Sequence, residues 1–184
     1  MACTSIVALP RACGTAGVIG GLEKLYITSF ADLAPASGTA GTPVYTQTAE
    51  VISDIGFLTG KCFVEVGMLK STSGLKETLT KDTKNGVAFL TQTFTLTLSD
   101  LTPENRTFIE SVLTQPVAIL IKTRTGKYFA AGLNGQFELS ALDGGTGTAE
   151  SDLIGHTLTF TGLDTQLIPN VDETLIPTII VPAS

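Results

Sequence analysis

Few side chains in this sequence combine the type and the spacing that chemistry needs. His156 is the sole histidine. It opens the run His156-Thr-Leu-Thr-Phe-Thr161, where a strand start and a structural role are expected. With no second histidine as base and no Gly-x-Ser-x-Gly turn, nucleophilic hydrolysis has no machinery. Cys3, Cys13 and Cys62 leave one thiol unpaired in any arrangement, which argues against a disulfide scaffold. Cys3 and Cys13 have no histidine nearby and lack zinc spacing, so all three cysteines read as small buried side chains. Asp143, Glu150 and Asp152 could offer oxygens to Ca²⁺, but their spacing fits no EF-hand and a solvated acidic loop is expected. The run Gly144-Gly-Thr-Gly147 lacks the Gly-Lys-Ser/Thr ending of a P-loop and is no dinucleotide fingerprint. Lys76, Lys81 and Lys84 form a basic cluster that Glu77 and Asp82 dilute, which is weak for nucleic acid. The sequon Asn105-Arg-Thr107 falls inside an expected helix. The sequence thus predicts no catalytic residue, no metal and no cofactor, and a protein that is not an enzyme.

The composition instead points to association. At 184 residues the chain fits one domain with a core of its own. Charged residues make up 15%, against about 25% in typical soluble domains. No apolar segment approaches the ~20 residues that cross a bilayer, so membrane insertion is not expected. The surplus apolar surface is expected between subunits, because permanent interfaces resemble a core cut in half. The net charge of −6 disfavours nucleic-acid binding, which needs clustered Lys and Arg. It suits a surface to which DNA must not stick. The N-terminal run Met1–Arg11 has no basic region ahead of an apolar one, so no secretory signal is expected.

The elements are organised around residues 89–124. In Phe89–Leu98, Leu90, Phe94, Leu96 and Leu98 alternate with Thr91, Thr93, Thr95 and Thr97, the period of a strand with one apolar and one polar face. Thr102-Pro103-Glu104 then supplies an N-cap, a first-turn proline and a favourable charge for a helix over 103–114. Phe108, Ile109, Val112 and Leu113 share one face of it. Val117–Arg124 and Lys127–Leu133 follow as a hairpin.

Elsewhere, residues 1–21 read as an extended N-terminal arm and Leu22–Phe30 as a strand. Ala31–Pro43 is a loop. Tyr45–Ile55 and Cys62–Leu69 read as single strands, the latter alternating. Residues 70–86 alternate Leu75, Glu77, Leu79 and Lys81 and predict a protruding β-arm that completes its sheet on another subunit. Asn85-Gly86 and Asn134-Gly135 are turn signals, the second for a tight hairpin into a strand at 136–142. The tail 166–184 holds three prolines and the apolar run Leu175–Val181. Prolines bar it from a central strand, so a C-terminal arm lying in a groove of its own subunit or a neighbour is expected. The whole reads as one mainly β domain with one short helix, sandwich- or barrel-like, with extended arms.

The order of these parts resembles a known family. Gly20-Gly21-x-x-x-Leu25-Tyr26-Ile27 opens the fold and a polar β-arm sits mid-chain. A Thr-rich strand, a capped helix, an Ile/Val-rich strand and a Gly-rich loop before the last strand follow. This resembles the tail tube proteins of long-tailed bacteriophages, and is similar to small virion proteins of phages of Bacteroidetes. The resemblance implies stacked, hexameric rings whose strands join in a continuous β-barrel around a channel for phage DNA, in a virion tail assembled in the host bacterial cytoplasm. It implies contacts with itself, a tape-measure protein, a terminator, a baseplate or tip, and a sheath where one exists. The strands at 62–69 and 89–98 would form the barrel wall, with the helix on the sheet's outer face. Leu75, Lys76, Glu77, Leu79 and Lys81 would be the inter-subunit arm. Glu65, Glu77 and Glu138 would be lumen acids that repel DNA. Leu175, Ile176, Ile179, Ile180 and Val181 would be C-terminal arm contacts.

Two other classes compete. A tail terminator, head–tail connector or capsid decoration protein would form closed rings or bind capsids, never long tubes. A ligand- or carbohydrate-binding β-domain would need a pocket with exposed aromatics, and this chain has no Trp. The tube reading expects residues 71–85 to be removable without unfolding the chain.

Overall fold

Val117–Ile121 is apolar at every position, the mark of a strand covered on both faces. A computed structural model, which describes residues 20–69, 71–82, 86–146 and 154–180, shows how that cover is arranged. The fold is mainly β with one short helix. In chain order the strands are β1 (Leu22–Ser29), β2 (Tyr45–Thr48), β3 (Val51–Ile55), β4 (Val64–Val66), β5 (Gly74–Asp82) and β6 (Val87–Ser99). The helix α1 (Pro103–Val112) precedes β7 (Val117–Thr123), β8 (Tyr128–Ala131), β9 (Glu138–Gly145), β10 (Gly155–Asp164), β11 (Asn170–Val171) and a single turn, α2 (Ile176–Ile179). A seven-stranded sheet has the order β2-β3-β11-β8-β7-β1-β4, and a four-stranded sheet the order β5-β6-β10-β9.

The two sheets pack face to face. One face of β1 and β7 (Leu25, Ile27, Val117, Ile119, Ile121) meets Phe94, Leu96 and Leu98 of β6 and Leu158 and Phe160 of β10. Phe160 is stacked on Phe137 at 6.2 Å between ring centroids. Ile109 and Val112 of α1 join this core, so the helix closes the space shared by the sheets and does not lie on an outer face. Thr102 caps it as expected, its hydroxyl accepting from the Asn105 N–H at 3.3 Å. The helix stops at Val112, and Leu113 is exposed.

The opposite face of β1 and β7 (Tyr26, Ala118, Leu120) forms a second core with Ile52, Ile55, Phe63 and Val171. Residues from both ends of the seven-stranded sheet meet there, so that sheet curls around the cluster. Ile176 and Ile179 of α2 fill it, and the Phe63 N–H donates to the Ile179 carbonyl at 2.8 Å. The C-terminal segment therefore lies in a groove of its own subunit. Leu175 and Ile180 are partly buried beside it, while Val181 lies outside the described residues. Ile176 and Ile179 belong to the core and have no side chain left for a neighbour.

Other expectations are corrected. Tyr45–Ile55 is a hairpin: Ala49 and Glu50 both take positive φ, 51° and 63°, in a two-residue turn. Only Val64–Val66 of 62–69 is strand, and it sits at the edge of the seven-stranded sheet, so 62–69 and 89–98 do not share a wall. Asn134-Gly135 is a turn but not a hairpin, because β8 and β9 belong to different sheets. The turn is tight because Gly132, at φ +81°, leaves no room for a Cβ, which would sit 2.4 Å from the Val117 carbonyl oxygen. Residues 74–82 are not an arm that finds its sheet elsewhere: they pair along their length with β6 of the same chain, and Leu75 packs on the first core. Removing 71–85 would strip β6 of a neighbour and uncover that core, so the segment is not dispensable. Residues 1–19 lie outside the described residues.

Phe160→Ala is expected to lower the free energy of unfolding by about 3–5 kcal/mol in chemical denaturation. Thr159→Ala, one residue away on the other face, should cost less than about 1 kcal/mol.

Candidate functional site

Strict alternation in β6 and β10 has a consequence on the side of the sheet away from the core. Antiparallel pairing sets Thr97 opposite Thr157, Thr95 opposite Thr159 and Thr93 opposite Thr161. On the other flank β5 adds Thr78 opposite Thr91. Each pair brings two Cβ atoms to about 5 Å and contributes roughly 0.2–1 kcal/mol. Ser140 of β9 extends the lattice, its hydroxyl 2.8 Å from that of Thr161. The result is a sheet face of hydroxyls. Register places only a few charges on it, among them Lys76 opposite Thr93, Glu138 opposite Thr161 and Asp143 opposite Thr157.

The sheet also has two open sides. β5 and β9 are its outermost strands, and among the described residues neither has a second neighbour. Such rows of backbone N–H and C=O groups are templates for pairing with another chain.

Of the three carboxylates expected to gather on a lumen face, the structure places Glu138 alone on the hydroxyl face. Glu65 is on β4 of the other sheet, 3.1 Å from Lys24. Glu77 points to the inner side, where its carboxylate accepts the Ile168 backbone N–H at 2.7 Å. That bond straps the segment after β10 across the gap between sheets. The arm residues divide likewise: Leu75 and Glu77 face inward, Lys76 outward, and Leu79 and Lys81 are exposed near the hairpin end. The inward role of Glu77 has no signal in local sequence, because its partner is 91 residues away.

Charge is settled mostly on the seven-stranded sheet. Besides Lys24–Glu65, Lys122 pairs with Glu23 at 3.0 Å. The hydrogen bonds to Glu65 and Glu23 hold both ammonium groups above the ordinary lysine range. In the turn before α2, the Thr174 N–H and hydroxyl both donate to Asp172 and hold its carboxyl below the usual range.

His156 takes a structural position. Its ring lies on Gly144, where a Cβ would sit 2.2 Å from Nδ1, and neither buried ring nitrogen has a hydrogen-bond partner among the described residues. Among the described residues no His, Cys, Asp or Glu side chains cluster as a metal site. Glu150 and Asp152 lie outside that set, as do Lys84, Cys3 and Cys13. Among the described residues no helix is long and apolar enough to cross a membrane.

No family model matches this chain, nor does any curated protein or solved structure.

Glu77→Ala should cost about 1–3 kcal/mol, because it strands a part-buried N–H. Glu65→Ala, which removes an exposed ion pair, should leave the denaturation midpoint unchanged. Equal losses would show that the Ile168 strap carries no stability.

Proposed function

We propose that this protein is a virion structural subunit that assembles into stacked hexameric rings, forming a tail tube through which phage DNA passes. The observation that carries the reading is the four-stranded antiparallel sheet whose outer strands, β5 and β9, have no second neighbour among the described residues. Four is an even number, so β5 and β9 run in opposite directions. Rotating a copy about an axis near the strand direction brings its β5 beside β9 of the copy before it, and that junction is again antiparallel. Every subunit can then add the same four strands, and the contact is head-to-tail, the kind that closes into a ring.

Six copies would bring about 24 strands. At ~4.8 Å between strands and ~40° of tilt, the barrel backbone would be roughly 48 Å across, wide enough for a duplex. The inner sheet packs one face on the core, so the face left for the channel is the hydroxyl lattice. The channel in this reading is lined by threonine, with Asp82, Glu138 and Asp143 as its acids and Lys76 as its base. Hydroxyls bind water and offer no fixed positive charge to a phosphate, which lets DNA slide. The resemblance in element order supports the same assignment, with the partners it implies: tape measure, terminator and tip proteins.

Electron microscopy of the concentrated protein, with light scattering alongside, is expected to show hollow tubes. Closed single rings or capsid-bound particles without tubes would move the assignment to a terminator, connector or decoration protein. A chain that stays monomeric both alone and on purified tail tips would overturn the assembly reading.

A further inference from the structure

A lateral joint between β9 of one copy and β5 of the next has one free variable, the slide of the copies along their strands. Pairing levels inside the sheet limit its values. Thr93 lies opposite both Lys76 and Thr161, and Thr161 lies opposite Glu138, so Lys76 and Glu138 stand at one level on the two outer strands. Thr97 lies opposite Thr157, and Thr157 opposite Asp143, so Asp143 stands four residues further along β6. Only an even slide keeps the hydroxyls on one face, because side chains alternate along a strand.

With no slide, Lys76 would meet Glu138, but β5 starts at Gly74, so residues 142–145 of β9 would find no partner. A slide of two would set Lys76 against Ala141 and pair no charge. A slide of four lays the whole of β9 against residues 74–80 and brings Lys76 opposite Asp143 on the hydroxyl face. Neither of these two has an ion pair within its own chain among the described residues. On the core side the same slide sets Leu79, 63% exposed, against Leu139, with Leu142, 44% exposed, on the diagonal. A slide of six would set Asp82 against Glu138, like charge on like.

Ring geometry selects the same value. Four residues at ~3.4 Å each, gained over four strands at ~4.8 Å each, tilt the strands about 35° from the ring axis, whatever the number of copies. Closed barrels need a tilt of about 35–45°, and no slide gives none. The hand agrees as well. The N–H and C=O of Thr97 both point to the β5 side, to Ser73 and Leu69. For L-residues this puts β5 to the left of β9 when the sheet is seen from its core face with β6 running upward. The slide then makes the strands climb to the right around the ring, as their right-handed twist demands. We propose that copies of this chain join β9 to β5 with a slide of four residues, selected by the Lys76–Asp143 pair. The inference rests on the ring reading and adds the residues that set its register and strand tilt.

Disulfide trapping in the assembled full chain tests the register. In a background of Cys3→Ser, Cys13→Ser and Cys62→Ser, the pair Thr80→Cys with Glu138→Cys should give a ladder of linked multimers on mild oxidation, because the slide sets those residues directly opposite. Lys76→Cys with Glu138→Cys, opposite only without a slide, should give none. A ladder from that second pair, or from Thr80→Cys or Glu138→Cys alone, would overturn the register. Lys76→Asp and Asp143→Lys, both on exposed side chains, should each raise the concentration needed for assembly about two- to fivefold. Together they should restore it, and a double variant no better than the singles would remove the pair from its selecting role. Rings or tubes in which Thr80→Cys and Glu138→Cys never link would leave the ring reading standing and remove this register. A chain that never assembles would remove both.

Discussion

The fold depends on one strand that must be dry on both sides. Val117, Ala118, Ile119, Leu120 and Ile121 are each at most 1% exposed. Burying the four larger side chains is worth roughly 1.5–3 kcal/mol each, a sum comparable to the whole stability of a domain at about 5–15 kcal/mol. One flat sheet cannot supply that cover. The odd positions require a second sheet, and the even positions require the first sheet to curl and the C-terminal turn to fill the curl. Every later element is placed by one of these two demands. The helix closes the end of one core, and α2 closes the other.

Much of this was legible in the sequence because it is local. A period of two through Phe89–Leu98 gave both faces of β6, and the Thr102-Pro103 pair gave the start of α1. Most of the misses involve partners far apart along the chain; one is local. Tyr45–Ile55 conceals a turn at Ala49-Glu50 that carries neither Gly nor Asn. In 62–69 the alternation is real, but only three residues find a strand partner. The polar stretch after Ser71 looked like an arm because charge alternates with Leu, yet it pairs with β6 of its own chain, and Leu75 and Glu77 face the interior. The apolar tail looked sticky because its groove is assembled from β1, β7 and both ends of a curled sheet, none of which lies near it in sequence.

The candidate site was legible only by halves. Threonine alternation could be read off each strand, but the lattice exists only in the register between β6 and β10. Net charge misled in the same way. A total of −6 says that acids exceed bases but not where they stand. Glu23 and Glu65 are tied to lysines on the other sheet, and Glu77 is a strap. The hydroxyl face owes its low charge to this partition, which no average over the chain could display.

The strand order of the four-stranded sheet also sets a timetable. β5 and β6 are neighbours in sequence and can pair as soon as residue 99 is free of the ribosome. β9 is made later, yet it touches the sheet only through β10, which is made later still. Long-range closures of this kind are the slow steps of β folding. Until β10 slots in beside β6, the growing chain exposes two edges, β5 and the side of β6 that β10 will cover. An uncovered central edge is a template for pairing with another chain, so the interval before residue 164 is made is the one in which this sheet is open to a wrong partner.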